Sequence, residues 1–217
     1  MIYYANPSTD AVRDEMSARR LGCIVTPSQG NRTFPDDGWD VIADNGCFSA
    51  RWTAGSWWPW LVDQPRAVRF AVAPDVVDLT GRPTHEATLD RWGLWGPRME
   101  RHGFTPAFVC QVGATADNIP DAEVFFLGGS TEWKLGADAW AIAAEAKRRG
   151  AWVHMGRVNS ERRMVTALEM GCDSCDGTFL TYGPDTNLPR LQRYLAAAHE
   201  RAAAQPALPL YSEVVPS

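Results

Sequence analysis

Three carboxylates in this chain stand where short apolar runs give way to turns. They are Asp44 in Ala43-Asp44-Asn45-Gly46, Asp75 in Ala73-Pro74-Asp75, and Asp176 in Cys175-Asp176-Gly177-Thr178. Two further runs end in amide- or glycine-bearing signatures, Cys110-Gln111-Val112-Gly113 and Leu127-Gly128-Gly129-Ser130. Carboxylates act as nucleophiles at an electrophilic carbon or as general acids and bases, and a buried one is costly unless it is hydrogen-bonded or functional. An aspartate before Asn-Gly or after Pro also caps a turn through its own side chain, and that is the plainer reading of Asp44 or of Asp75 taken alone. As a set delivered to one place, the three read as a site.

Other chemistry-bearing residues read more quietly. His154, between Val153 and Met155, reads as a satisfied histidine inside the fold rather than as a proton carrier. Cys172 and Cys175 form a C-x2-C pair, yet a zinc site needs a second pair or suitably spaced histidines. On a strand an offset of three also points them to opposite faces, so they read as structural and no metal is expected. Gly128-Gly129 is too short for a dinucleotide or phosphate-loop fingerprint, and no nucleotide cofactor is expected.

The elements that must position these residues are short runs rich in Val, Ile, Phe and Ala at 2–5, 21–26, 41–44, 70–74, 107–111, 124–127, 152–155 and 172–176, eight in all,. Several alternate with segments of helical spacing. Residues 84–101 carry Leu89, Trp92, Trp95 and Met99, with Gly103 as a stop. Residues 134–149 are rich in Ala, place Lys147, Arg148 and Arg149 in the last turn, and end at Gly150,. Ser160 caps 161–170 ahead of Gly171, and Asn187 opens a final helix with Leu188, Leu191, Leu195 and Ala198 on one face,. Strands alternating with helices imply a parallel sheet, and eight of them within about 180 residues favour a closed (β/α)8 barrel over an open sheet. That spacing is tighter than the usual ~250 residues, so some connecting helices are expected to be short or missing, with 29–39 and 114–121 as the candidates.

Length and composition fit one soluble domain at 1–204, followed by a proline-bearing extended tail at 205–217,. No stretch approaches the roughly 20 apolar residues of a membrane span. Met1 is followed by Ile2-Tyr3-Tyr4 with no basic segment ahead of an apolar one, so no secretory signal is expected,. An odd number of cysteines, five, fits reduced thiols in a cytoplasmic protein,. A net charge of −5 excludes a surface that grips phosphate everywhere, so any nucleic-acid contact must be a local basic patch,.

From about Val41 to Thr178 the order of motifs resembles the tRNA-guanine transglycosylase superfamily, and more closely its DNA-directed branch, the DpdA-like proteins that install 7-deazaguanines in bacterial or phage DNA. The family's Asp-Ser-Gly-Gly-aromatic motif is matched by Asp44-Asn45-Gly46-Cys47-Phe48, its next-strand Asp by Asp75, and its Val-Gln-Gly-Gly by Cys110-Gln111-Val112-Gly113. Its Gly-Gly loop is matched by Gly128-Gly129-Ser130, its Leu-Met-Gly by His154-Met155-Gly156, and its Gly-x-Asp-x-Phe-Asp by Gly171-Cys172-Asp173-Ser174-Cys175-Asp176. The stretches Gly129-Ser130-Thr131-Glu132-Trp133-Lys134 and Gly156-Arg157-Val158-Asn159-Ser160 look like the DNA-directed branch in particular. No cysteine follows Cys175, whereas the tRNA enzymes carry a zinc site beyond the last strand. This departure puts a tRNA substrate in doubt.

The resemblance implies a pentosyltransferase that exchanges guanine in DNA for a preQ0-like 7-deazaguanine with retained configuration. Asp176 would be the nucleophile at C1′ and Asp44 the group that handles protons. Asp75 suits the adjacent N1–H and 2-amino donors of guanine, while the Gln111 amide and backbone N–H groups at Gly129 or Ser130 suit O6; Gly128 and Gly156 permit close approach. Phe48 and Met155 would sandwich the base, core packing being the plainer role for both. The target nucleotide must leave its stack. Lys134, Arg157, Arg162 and Arg163 are then the phosphate-contact candidates, although each alone reads as solvated charge. Trp57, Trp58 and Trp60 lie where DNA could be met, or form hydrophobic core. Two competing readings are a base-hydrolysing glycosylase on the same barrel and a non-catalytic nucleobase- or DNA-binding subunit. The sequence leaves open a partner protein or homo-oligomer, the strandedness of the DNA and which 7-deazaguanine enters.

Overall fold

The computed structural model describes residues 1–28, 38–49, 51–64, 67–78, 82 and 84–204; the expected tail at 205–217 lies outside the described residues. Eight strands close into one parallel barrel in chain order. They are β1 (Ile2–Ala5), β2 (Gly22–Val25), β3 (Val41–Ala43), β4 (Phe70–Val72), β5 (Pro106–Cys110), β6 (Val124–Leu127), β7 (Trp152–Met155) and β8 (Ser174–Asp176), with β8 returning to pair with β1. Among the described residues the outer shell is α1 (Asp10–Ser17), α2 (Ala54–Val62), α3 (His85–Arg101), α4 (Thr131–Lys134), α5 (Ala137–Arg148), α6 (Glu161–Glu169) and α7 (Pro184–Ala204).

Period-two alternation decides which side chains face inward. Tyr4, Ile24, Ile42, Phe70, Val72, Ala107, Val109 and Val124 pack inside the barrel, with Ile2, Phe126 and Trp152 against them. The intervening residues, among them Tyr3, Cys23, Ala43, Ala71, Phe108, Phe125, Val153 and Cys175, pack outward against the helices. Gly22 shows how tight the interior is: a Cβ there would lie 2.2 Å from the Tyr4 ring, so only glycine lets β2 approach β1 at this register,.

Helix starts follow their hydroxyl caps. Thr9, Thr53, Ser130 and Ser160 each accept a hydrogen bond from the backbone N–H three residues on,. The helix expected over 134–149 is instead two, because Gly136 adopts extended backbone (φ −88°, ψ 171°) between α4 and α5. The last helix opens at Pro184, where proline's missing N–H costs nothing, rather than at Asn187. The Asn187 amide instead donates to the carbonyls of Phe179 and Tyr182 at 3.1 and 2.6 Å. Residues 114–121 hold turns and no helix, as anticipated; of 29–39, positions 29–37 lie outside the described residues.

Helix α2 was not expected from the sequence, and it carries the tryptophan cluster into the core. Trp57 is 1% exposed and meets Trp95 edge-on at 5.1 Å, while half-buried Trp58 and Trp60 pack against the same cluster. The cluster therefore belongs to the hydrophobic core, the plainer of its two readings. No helix among the described residues is long and apolar enough to cross a membrane. Replacing Trp57 by alanine should lower the unfolding free energy by about 3–5 kcal/mol, the range for a fully buried large aromatic. Urea titration checks this; an unchanged midpoint would contradict the core assignment.

Candidate active site

Alternation that fills the barrel also sets its C-terminal rim. Continuing each inward series by one step brings β3 to Asp44, β5 to Gln111, β6 to Gly128, β7 to Gly156 and β8 to Asp176. This is the end of the barrel at which such folds hold their reacting groups. A cavity of about 350 Å³ opens there, lined among others by Asp44, Asp75, Gln111, Phe126, Arg157 and Asp176. The three carboxylates read from the sequence as one set do meet on one cavity wall.

Each carboxylate meets a different environment. Both oxygens of Asp176 are held: Oδ2 lies 2.9 Å from His154 Nε2, and Oδ1 accepts from the Arg157 backbone N–H at 3.1 Å. Asp75 is buried, and its Oδ1 accepts from the Asn45 amide at 2.9 Å. The same amide donates to Ala73 O at 2.7 Å, and Arg91 donates to the Asp75 carbonyl. Burial raises the Asp75 carboxyl above its usual range, opposed by the Asn45 bond. Asp44 has no equivalent side-chain donor among the described residues. Burial, with Asp176 and Asp75 as neighbouring negative charges, pushes it up to about 7 against the pull of the Asn45 and Gly46 N–H groups,.

Around them the loops are knitted together. The Arg157 guanidinium donates to Gly128 O at 2.8 Å and Gly129 O at 2.6 Å and lies over the Phe48 ring at 5.4 Å. Arg157 itself takes a left-handed conformation (φ 59°) to do so. Asn159 receives the Thr178 N–H at 2.7 Å, tying the loop after β7 to the one after β8. Gly156 is needed without a side chain, since a Cβ would come within 2.7 Å of Phe126 and 3.4 Å of Asp176 Oδ2. Gly128, Gly129 and Ser130 line the cavity opposite, and 62%-exposed Phe48 stands at its mouth.

Three expectations change. Met155 is 1% exposed in the outer core, facing the helices, because alternation turns it away from the inward His154; the apolar wall of the cavity is Phe126, Val72 and Val109. Lys134 is 2% exposed and donates to Gly156 O, so it is unavailable to phosphate. Burial and the charge of Arg157 bring it down to about 7. Gln111 spends its amide N–H groups on Val76 O and Thr88 Oγ1, both at 2.7 Å. A carbonyl can only accept, so the amide nitrogen faces Val76, and Gln111 has no N–H group left to serve as the donor expected. His154 is the satisfied interior histidine read from the sequence, fully buried and bonded at both ring nitrogens, to Ser174 and to Asp176. Of the remaining basic candidates, Arg162 is exposed on the first turn of α6 and Arg163 donates to Arg157 O at 3.3 Å.

Alternation could have found two of the residues that were missed, Phe126 and His154, since both lie on inward series one step below the rim. Asn45 and Arg91, which hold Asp75, carry no such signal: each acts through a contact between distant segments. Among the described residues no group of His, Cys, Asp or Glu is arranged to hold a metal ion, and all five cysteines are free thiols.

No protein-family model matches this chain, and no curated protein matches it. Solved structures do. The native KDPGal structure is 13% identical with a TM-score of 0.55, covering 94% of this chain and 96% of its own. The BexX/CysO complex of Amycolatopsis orientalis is 15% identical at a TM-score of 0.53, covering 97% and 94%. Tryptophan synthase from M. tuberculosis, in its aminoacrylate- and BRD0059-bound form, is 15% identical at 0.53, covering 91% and 90%. At this identity the likeness is one of fold.

The raised Asp44 carboxyl has a consequence for stability. A carboxyl that holds its proton more tightly in the folded chain contributes stability that is complete below the unfolded value near 4. That contribution is lost as pH rises through about 7. Asp44→Asn should therefore flatten the decline in the urea midpoint between those limits relative to the parent chain. Parallel midpoint curves for the two proteins would refute the assignment.

Proposed function

We propose that this chain is a DNA-guanine transglycosylase, a pentosyltransferase that replaces guanine in DNA by a 7-deazaguanine through a covalent Asp176–sugar intermediate. The observation that carries the reading is the meeting of Asp44, Asp75 and Asp176 on one cavity at the C-terminal end of a closed barrel. They come from separate strands, in the order and motif context of the DNA-directed transglycosylases.

In the first displacement an Asp176 oxygen forms a bond to C1′ while the C1′–N bond breaks, its electron pair leaving with guanine. A carboxyl that titrates near 7 is half protonated at neutral pH, so Asp44 is suited to give a proton to the departing purine and to take one from the incoming base,. The second displacement reverses these bonds with the 7-deazaguanine nitrogen as the attacker, and configuration is retained.

Recognition follows the corrected donor and acceptor pattern. Asp75 and the Gln111 carbonyl oxygen are both acceptors, which suits the adjacent N1–H and 2-amino groups of guanine,. The O6 acceptor is left for backbone N–H groups at Gly129 and Ser130, which have no partner among the described residues. Phe126 supplies a wall for the ring plane and Phe48 a lid at the mouth. A nucleotide reaching this depth has left its helix, and Arg157, exposed and lining the cavity, with exposed Arg162 on α6, are the basic groups assigned to its phosphates,.

Incubating DNA with the protein and candidate 7-deazaguanines, followed by mass spectrometry of the nucleosides, tests the reading directly. Incorporation of the deazaguanine is expected, together with a denaturant-stable protein–DNA adduct. Asp176→Ala should abolish both, and Asp44→Asn should slow exchange by about 10²–10⁴-fold. Release of guanine without incorporation would instead make the protein a hydrolase, and unmodified DNA with no adduct would remove the proposed activity.

A further inference from the structure

Inside the barrel a line of hydrogen bonds ends on Asp176. Trp152 Nε1 donates to Ser174 Oγ at 2.8 Å, Ser174 Oγ lies 2.8 Å from His154 Nδ1, and His154 Nε2 lies 2.9 Å from Asp176 Oδ2. All three side chains below Asp176 belong to the inward face, and His154 stands beside Ser174 in the register of β7 and β8. We propose that His154 is a positioning residue for Asp176, holding the carboxylate in one orientation and favouring its departure from the sugar in the second displacement. This rests on the transglycosylase reading above for its catalytic consequence, though not for its geometry.

Proton bookkeeping gives the line a direction. An indole N–H only donates, so Ser174 Oγ spends one lone pair on Trp152. An ionised Asp176 only accepts, so His154 Nε2 carries the hydrogen of that contact. In the neutral imidazole Nδ1 is then bare and receives the Ser174 hydroxyl hydrogen. Every donor and acceptor along the line is satisfied, and the tautomer is fixed by its second partner. The ring is also held sterically: His154 is 0% exposed, stacked on Phe126 at 4.6 Å and 26°, with Phe70 edge-on at 5.5 Å. With Oδ2 on His154 and Oδ1 on the Arg157 N–H, the carboxylate plane cannot rotate without breaking a bond. Other titratable or charged groups that influence Asp176 or are influenced by it are Asp44, Tyr3, Cys175 and Lys134, with Arg157 beside them.

The consequence for the reaction is asymmetric. In the ester the carboxylate charge is gone, and the His154 donor gains little there. When the C1′–Oδ bond breaks and its electron pair returns to Asp176, the donor meets a full carboxylate, and a hydrogen bond to charge is the stronger kind. Removing the donor therefore makes Asp176 a poorer leaving group, and the covalent intermediate should accumulate.

The test compares the parent chain with His154→Phe, which keeps the ring volume, and His154→Gln, which keeps a donor near the Nε2 position. Two measurements are made: the ¹³C NMR titration of the Asp176 carboxyl, and exchange of labelled guanine into DNA with quantification of the adduct. In His154→Phe the Asp176 titration should move up by about one unit. Exchange should fall about ten- to a hundredfold, with a larger share of enzyme trapped as adduct. His154→Gln should recover most of both. If His154→Phe does not fold, Ser174→Ala should shift the titration in the same direction by less, since it releases Nδ1. An Asp176 titration unchanged in these variants overturns the proposal. A shifted titration in a protein that exchanges no base supports the positioning role and rejects the transglycosylase reading instead.

Discussion

A parallel strand in a closed barrel has no free choice of where its side chains point. Successive residues alternate between the interior and the helical shell, and closure holds every strand to the same bookkeeping through its two neighbours. The interior is filled by Tyr4, Ile24, Ile42, Phe70, Val72, Val109 and their partners. Directly above these residues the inward series continue as Asp44, Gln111, Gly128, Gly156 and Asp176. The site is therefore the top layer of the barrel's own packing, with polar residues where water begins. A one-residue slip of any strand would exchange that strand's rim residue for one facing the helices.

Gathering three carboxylates on a cavity of about 350 Å³ sets an electrostatic problem, and the structure meets it in three ways. Asp75 is given an amide donor from Asn45. Asp176 is given donors on both oxygens, from His154 and the Arg157 N–H. Asp44, with no such side-chain donor among the described residues, is pushed up to about 7 by burial and its neighbouring charges. Chemically similar side chains are thereby given three different environments, the condition under which the proposed recognition group, nucleophile and proton carrier can be distinct.

The loops are held by side chains that bond across to neighbouring loops. Lys134, buried under the loop after β7, fastens the Gly156 carbonyl, and Asn159 fastens Thr178 beside Asp176. The Arg157 guanidinium crosses to the carbonyls of Gly128 and Gly129. These links make the segments after β6, β7 and β8 one connected rim, which is the pre-organisation that a displacement at a fixed carbon requires.

The amino-acid sequence determined the eight strands, since short apolar runs stand out locally, and it determined the rim residues Asp44, Asp75, Gln111 and Asp176, since each ends or directly follows such a run. It also located the glycine stops and the Ser160 cap, which act within one turn. Helix α2 escaped because its tryptophan-rich run lacks a polar face. Only tertiary structure decided that Lys134 is buried, that Gln111 spends its amide N–H groups on Val76 and Thr88, that Met155 faces the helices and that His154 is bonded to Asp176. Each of these depends on a partner brought close by strand closure or loop packing. A side chain's hydrogen-bonding direction is a property of the pair, and the pair exists only once the barrel has closed.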